Sequence, residues 1–157
     1  MRLALEQARQ TLVESEYPVG AIVVFQGEVI GQGRKMSTDF HMGHAEMQAL
    51  SNALYGKRYR REDELTIYTT LEPCVMCFGT ILNCPVTKVV YAMEDVYGGA
   101  TNIPASSLPV RHLTKKPEIV SGVLREESRT LLKNFLNVTQ DPFWLNPDNP
   151  LVQEILK

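Results

Sequence analysis

A three-layer α/β sandwich is the fold this 157-residue sequence predicts. Three observations predict it. Stretches with helical apolar spacing alternate with strand-like stretches along the chain. The strand-like stretches are short, apolar and rich in Val, Ile and Thr. Glycines and prolines fall between these segments.

In order, residues 2–15 carry Leu5, Ala8, Leu12 and Val13 near helical spacing, with no Gly or Pro, and predict a helix that Pro18 and Gly20 end. Gly20–Phe25 and 28–33 are apolar runs around Gln26-Gly27, a β-hairpin pattern. Gly31 and Gly33 mark a bulge or a close backbone approach. Residues 35–43 read as a loop and 44–54 as a helix. The run Lys57-Arg58-Tyr59-Arg60-Arg61 is followed at once by Glu62-Asp63-Glu64. It reads as a charged connection, with RNA phosphates as the rival partner. Leu65–Leu71 is a strand. Pro73 opens a helix to about residue 82, and Pro85 closes it. Residues 88–93 and 118–123 are strands parted by a loop holding Gly98, Gly99, Pro104 and Pro109. Residues 124–136 form the last long helix. In 137–150, three prolines accompany Phe143 and Trp144, which suits a tail laid over the body, and 151–155 add a turn or two of helix. One domain over 1–136 and a tail over 137–157 make one structural unit.

The chain is 44% hydrophobic and 22% charged, a globular composition. Its formal charge of −2 argues against a broad basic face that coats nucleic acid, though not against a local footprint. No apolar core of signal-peptide length follows Arg2, so neither export nor a membrane span is expected, and the cytoplasm is the expected location. In that setting Cys74 and Cys77 read as a metal or redox pair before a disulfide.

The chemistry lies in His44-Ala45-Glu46 and Pro73-Cys74-Val75-Met76-Cys77. Two cysteines three apart share one helix face, and the first turn of a helix favours thiolate. His44 adds a neutral third ligand, and two thiolates, one imidazole and Zn²⁺ sum to zero charge. A fourth position open to water is what distinguishes catalytic zinc from structural zinc. Glu46, two residues past His44 and roughly 200° around an ideal helix, avoids the ligand face and can act as proton carrier. A four-ligand structural site would draw on Cys84, His112 or His41, the last being the best rival to His44. A thioredoxin-type pair would leave His44 and Glu46 without a role.

H-x-E followed by P-C-x-x-C is a signature of zinc-dependent nucleobase deaminases. On those motifs, with Pro18-Val19-Gly20-Ala21 and the Thr70-Leu71-Glu72 that precedes the cysteines, the chain resembles the cytidine deaminase superfamily. Within it, the chain is most similar to bacterial tRNA adenosine deaminases, over about residues 1–136. The resemblance implies a central five-stranded mixed sheet and one Zn²⁺ per subunit on His44, Cys74 and Cys77. It also implies Glu46 as catalytic proton shuttle and an oligomer packed around the active sites, expected as a homodimer.

Two departures bear on substrate. Where the family pattern has a substrate-binding Asn, this chain reads Gly33-Arg34-Lys35-Met36, and Lys35 cannot accept a hydrogen bond. The loop at 37–43 is short and lacks the family's Asp-Pro-Thr. Asp141-Pro142-Phe143-Trp144, in turn, resembles the aromatic closure of small free-base cytosine deaminases. The expected substrate contacts are Lys35, Ala45, Phe143 and Trp144. The expected function is zinc-dependent hydrolytic deamination of a nucleobase, a nucleoside or tRNA adenosine, with a small base-bearing molecule or a tRNA anticodon loop as partner. The alternatives are a free-base deaminase of cytosine or guanine type and a non-catalytic zinc-stabilised scaffold.

Overall fold

The computed structural model describes residues 1–14, 16–37 and 40–157. Helix α1 (Arg2–Val13) precedes the hairpin β1 (Gly20–Phe25) and β2 (Glu28–Arg34). Then come α2 (Ala45–Leu54), β3 (Leu65–Leu71), α3 (Val75–Asn83), β4 (Val86–Met93), β5 (Glu118–Val120) and α4 (Arg125–Leu136). Two short helices, α5 (Pro142–Leu145) and α6 (Pro150–Leu156), end the chain. The five strands form one sheet in the order β2-β1-β3-β4-β5. β1 runs antiparallel to β2 and β3, while β3, β4 and β5 are parallel, so the sheet is mixed as expected.

Gln26 and Gly27 have φ of 51 and 83, the successive left-handed pair of a tight two-residue hairpin turn. Strand alternation sends Ala21 and Val23 of β1 toward α2, with Gly33 and Gly31 as their cross-strand neighbours. There α2 presents Ala45, Ala49 and Ala53, one small residue per turn. A Cβ at Gly33 would lie 2.3 Å from the Ala45 carbonyl oxygen, so backbone meets backbone at this contact. The register also shifts between Val23 and Val24, beside Gly31, so a bulge and a close approach occur together. On the opposite side α1 packs on α4 through Leu5, Ala8 and Leu131. Val23, Ile67, Ile81 and Val89 are fully buried, and each contributes roughly 1.5–3 kcal/mol. α6 adds Leu151 and Ile155 to that cluster.

Several boundaries differ from the sequence expectation. Pro73 lies outside α3, whose first residue is Val75 and whose N-cap is Cys74. β4 starts at Val86 because Leu65 pairs with it across the parallel ladder. The strand expected at 118–123 stops at Val120, since Gly122 (φ 79) and Leu124 (φ 60) turn out of the extended region. α1 ends at Val13, and position 15 lies outside the described residues, as do 38–39 of the expected loop. The tail contains α5, capped by the Asp141 carboxylate accepting from Phe143 N–H. In the basic run, Arg61 donates to the carbonyls of Val86 at 3.3 Å and Lys115 at 2.8 Å, binding the connection to the body. Among the described residues, no helix is long and apolar enough to cross a membrane.

Candidate active site and metal centre

Two strand-to-helix junctions meet at the site. His44 is the N-cap of α2 (φ −80, ψ 148), and Cys74 is the N-cap of α3 (φ −70, ψ 173). Both stand in extended backbone just ahead of a helix, where the positive end of the dipole favours anions. Cys77 follows in the first turn of α3 and is fully buried. His44 Nδ1 lies 3.6 Å from Cys74 Sγ and 3.5 Å from Cys77 Sγ. A tetrahedral zinc with ordinary Zn–S and Zn–N bonds requires an N-to-S edge of about 3.5 Å, so the donors are spaced for that ion. All three donor atoms lie within 4.8 Å of one another, and no other such group occurs among the described residues. His41 lines the same cavity but is exposed and outside the cluster, and Cys84 and His112 are not part of it. The described residues therefore offer three ligands and no fourth.

The two thiols share one proton. The hydrogen bond from Cys77 holds Cys74 down to about 4, helped by His44. The same bond, with burial, pushes Cys77 up. The first ionisation is easy, and the second needs a cation between the sulfurs. The bond to Cys74 raises His44.

Glu46 is buried at 3% exposure beside this centre. Thr69 Oγ1 donates to its Oε1 at 2.8 Å, and Oε2 stands 3.4 Å from Cys77 Sγ. Burial raises this carboxyl, and the Thr69 bond opposes the rise. Such a group can both take and return protons.

The centre opens into a cavity of about 560 Å³. The expected residues Lys35, Ala45, Phe143 and Trp144 all line it, together with His44, Glu46 and Cys74. Burial lowers Lys35, and its backbone N–H ties it to the Val19 carbonyl. Sequence reasoning missed Tyr17, Asp95 and Thr69. Tyr17 stacks on Trp144 with centroids 4.2 Å apart, and it stands directly before the Pro18-Val19-Gly20-Ala21 stretch, which was its one signal. Asp95 lies just past the carboxyl end of β4, where open α/β sheets place ligand-binding groups. Burial raises Asp95 although its carboxylate accepts from the amides of Tyr97 and Gly98.

Residues 1–93 match the zinc-binding region of cytidine and deoxycytidylate deaminases. Over 137 residues the chain is 33% identical to the tRNA-specific adenosine deaminase of Bacillus subtilis (strain 168), covering 86% of this chain and 85% of that protein. A solved structure from work on A-to-I editing by tRNA:A34 deaminases at the wobble position of transfer RNA is similar at TM-score 0.73 and 31% identity, over 84% of this chain and 97% of that one. The guanine deaminase of Nitrosomonas europaea is similar at TM-score 0.69 and 25% identity, over 85% and 81%.

Proposed function

Since this chain belongs to the cytidine and deoxycytidylate deaminase zinc-binding family, we propose that its substrate is a small molecule carrying an amino-substituted base, free or as a nucleoside. The protein is a zinc-dependent deaminase. Its reaction exchanges the amino group of the base for the oxygen of water and releases ammonia. In this reading His44, Cys74 and Cys77 hold the zinc, which when bound acidifies water to a nucleophile near neutral pH. Glu46 carries two protons in turn at Oε2, the first from water to the ring nitrogen and the second from the hydroxyl added at the ring carbon to the departing amine. Thr69 fixes the other oxygen of Glu46, and Ala45 and Lys35 border the base.

One observation carries the small-substrate reading: the chain's own tail walls the cavity, with Trp144 stacked on Tyr17 and Phe143 beside it. The net charge of −2 supports it, because RNA binding draws on cationic surface. The second reading, tRNA adenosine, is favoured by the 33% identity to a tRNA-specific enzyme. There the target base would be splayed from the anticodon loop to enter the cavity. We also propose that 1–136 and 137–157 act as one unit, since α6 buries Leu151 and Ile155 in the main core. A homodimer in the cytoplasm completes the proposal. Three free cysteines suit a reducing compartment.

Ammonia release from bases, nucleosides, nucleotides and an anticodon-arm RNA tests this. Turnover of a free base or nucleoside is expected, and turnover of RNA alone would replace the first reading with the second. Silence across the whole panel with zinc bound would leave only a scaffold.

A further inference from the structure

Resting on the deaminase reading of this cavity, we propose that Tyr17 selects the substrate: its hydroxyl donates a hydrogen bond to an acceptor on the bound base, a ring nitrogen or a carbonyl oxygen.

Three observations converge on this residue. The Tyr17 hydroxyl oxygen is sealed from solvent and has no hydrogen-bond partner among the described residues. Buried hydroxyls are nearly always paired, so an unpaired one on a residue that lines the cavity points to a ligand atom as its missing partner. The ring is fixed, stacked on Trp144 at 4.2 Å and 22°, and edge-on to Phe135 at 5.5 Å and 67°. Its backbone is fixed as well, because the Tyr17 carbonyl accepts from Val19 N–H at 2.9 Å. A donor held from two sides loses little freedom when a ligand arrives. Finally, Tyr17 shares the cavity wall with Glu46 and Asp95. Burial, together with the charges of Asp95 and Glu46, holds the phenol well above its ordinary range, so it keeps its proton and remains a donor at working pH.

Lys35 and Tyr17 supply different chemistry on the same wall. The ammonium offers donors on a flexible stem, whereas the phenol offers one donor in a fixed direction. A site built around such a bond rejects the analogue lacking the acceptor, because the buried hydroxyl is then left unpaired. An apolar wall discriminates far less.

The single tryptophan of the chain is the one stacked on Tyr17, so its emission reports the cavity directly. The zinc-loaded protein is titrated with the common bases and nucleosides, then with deaza and deoxo analogues of those that bind. Loss of one acceptor should weaken binding about tenfold or more in the wild type. Tyr17→Phe should bring parent and analogue to the same weaker affinity, with melting temperature and zinc content unchanged. Turnover is followed in parallel. Discrimination by Tyr17→Phe equal to the wild type overturns the proposal, while turnover by the wild type keeps the deaminase reading. Binding with this discrimination but no turnover does the reverse. If Tyr17→Phe does not fold, the wild-type series decides, and equal affinity for every analogue overturns the proposal. If no base binds, both fall.

Discussion

Thr69 Oγ1 donates to Glu46 Oε1 at 2.8 Å, which leaves Oε2 facing Cys77 Sγ at 3.4 Å. The sheet thus holds one oxygen of a buried carboxylate and turns the other toward the metal centre. Glu46→Gln keeps the shape and removes the proton acceptor. Its kcat should fall about 10²–10⁴-fold with zinc still bound at one per chain. Undiminished turnover would remove Glu46 from the mechanism. Thr69→Val frees the carboxylate without deleting it, so kcat should fall roughly tenfold, and Thr69→Ser should restore it.

The candidate zinc cluster was legible because its residues fall in two short motifs of fixed spacing, His44-Ala45-Glu46 and Cys74-Val75-Met76-Cys77. Glu46 stands beside the cluster, but not for the helical-rotation reason that the spacing suggests. His44 stands in extended conformation before α2, so helical rotation between positions 44 and 46 does not set their relative directions. Thr69 was not legible, because β3 is covered on both faces and its Leu-Thr-Ile-Tyr-Thr-Thr-Leu run does not say which threonine faces α2. Cross-strand pairing settles it, since Thr69 opposes Ala21, which lies on that face. Tyr17 stands in the connection before β1 and Asp95 in the loop after β4, and neither connection leaves a periodic trace.

The contact between β2 and α2 sets where His44 stands. Gly33→Ala would place a methyl 2.3 Å from the carbonyl oxygen of Ala45, the residue after that ligand. Backbone cannot swing aside as a side-chain tip can, so a loss of about 1–3 kcal/mol or more is expected, together with weaker zinc retention. Gly27→Ala is the control: it strains a left-handed turn but meets nothing within 4 Å. It should lower the melting temperature and leave zinc retention unchanged. Equal zinc loss in both variants would argue that the helix contact does not position the metal ligand.

Asp95 makes stability depend on pH with a definite sign. Burial penalises its charged form, so its folded pKa lies above the unfolded one. Its contribution is complete below the unfolded pKa and is lost as pH rises through the folded one. Asp95→Asn stays neutral while its Oδ1 can still accept from the amides of Tyr97 and Gly98. The variant should melt above the wild type near about pH 8, with the gap closing toward about pH 4. A gap constant over that range would exclude ionisation as its cause.

Metal uptake should carry a proton signature. With Cys74 held down to about 4 and Cys77 pushed up, the metal-free pair keeps one proton on Cys77 at mildly alkaline pH. Zinc needs both thiolates, so uptake near about pH 8 should release about one proton per chain. Calorimetry in buffers of differing ionisation enthalpy reads this directly. Release of none would mean that the second sulfur is not a ligand.

The tail admits the sharpest separation of roles. Trp144 stacks on Tyr17 and packs edge-on against Phe135 at 5.7 Å and Phe143 at 4.8 Å, so it could serve the cavity, the fold or both. Trp144→Ala removes three ring contacts and should cost about 1–3 kcal/mol, read as a lower melting temperature. If the tail is the wall against which a small base rests, the same change raises KM for that base about tenfold, and Trp144→Phe recovers most of it. A lower melting temperature with KM unchanged would make the tail an anchor only, and the small-substrate reading would lose the observation on which it stands. Faster deamination of an anticodon arm by Trp144→Ala than by the wild type would show instead that the tail bars RNA from a pocket whose chemistry accepts it.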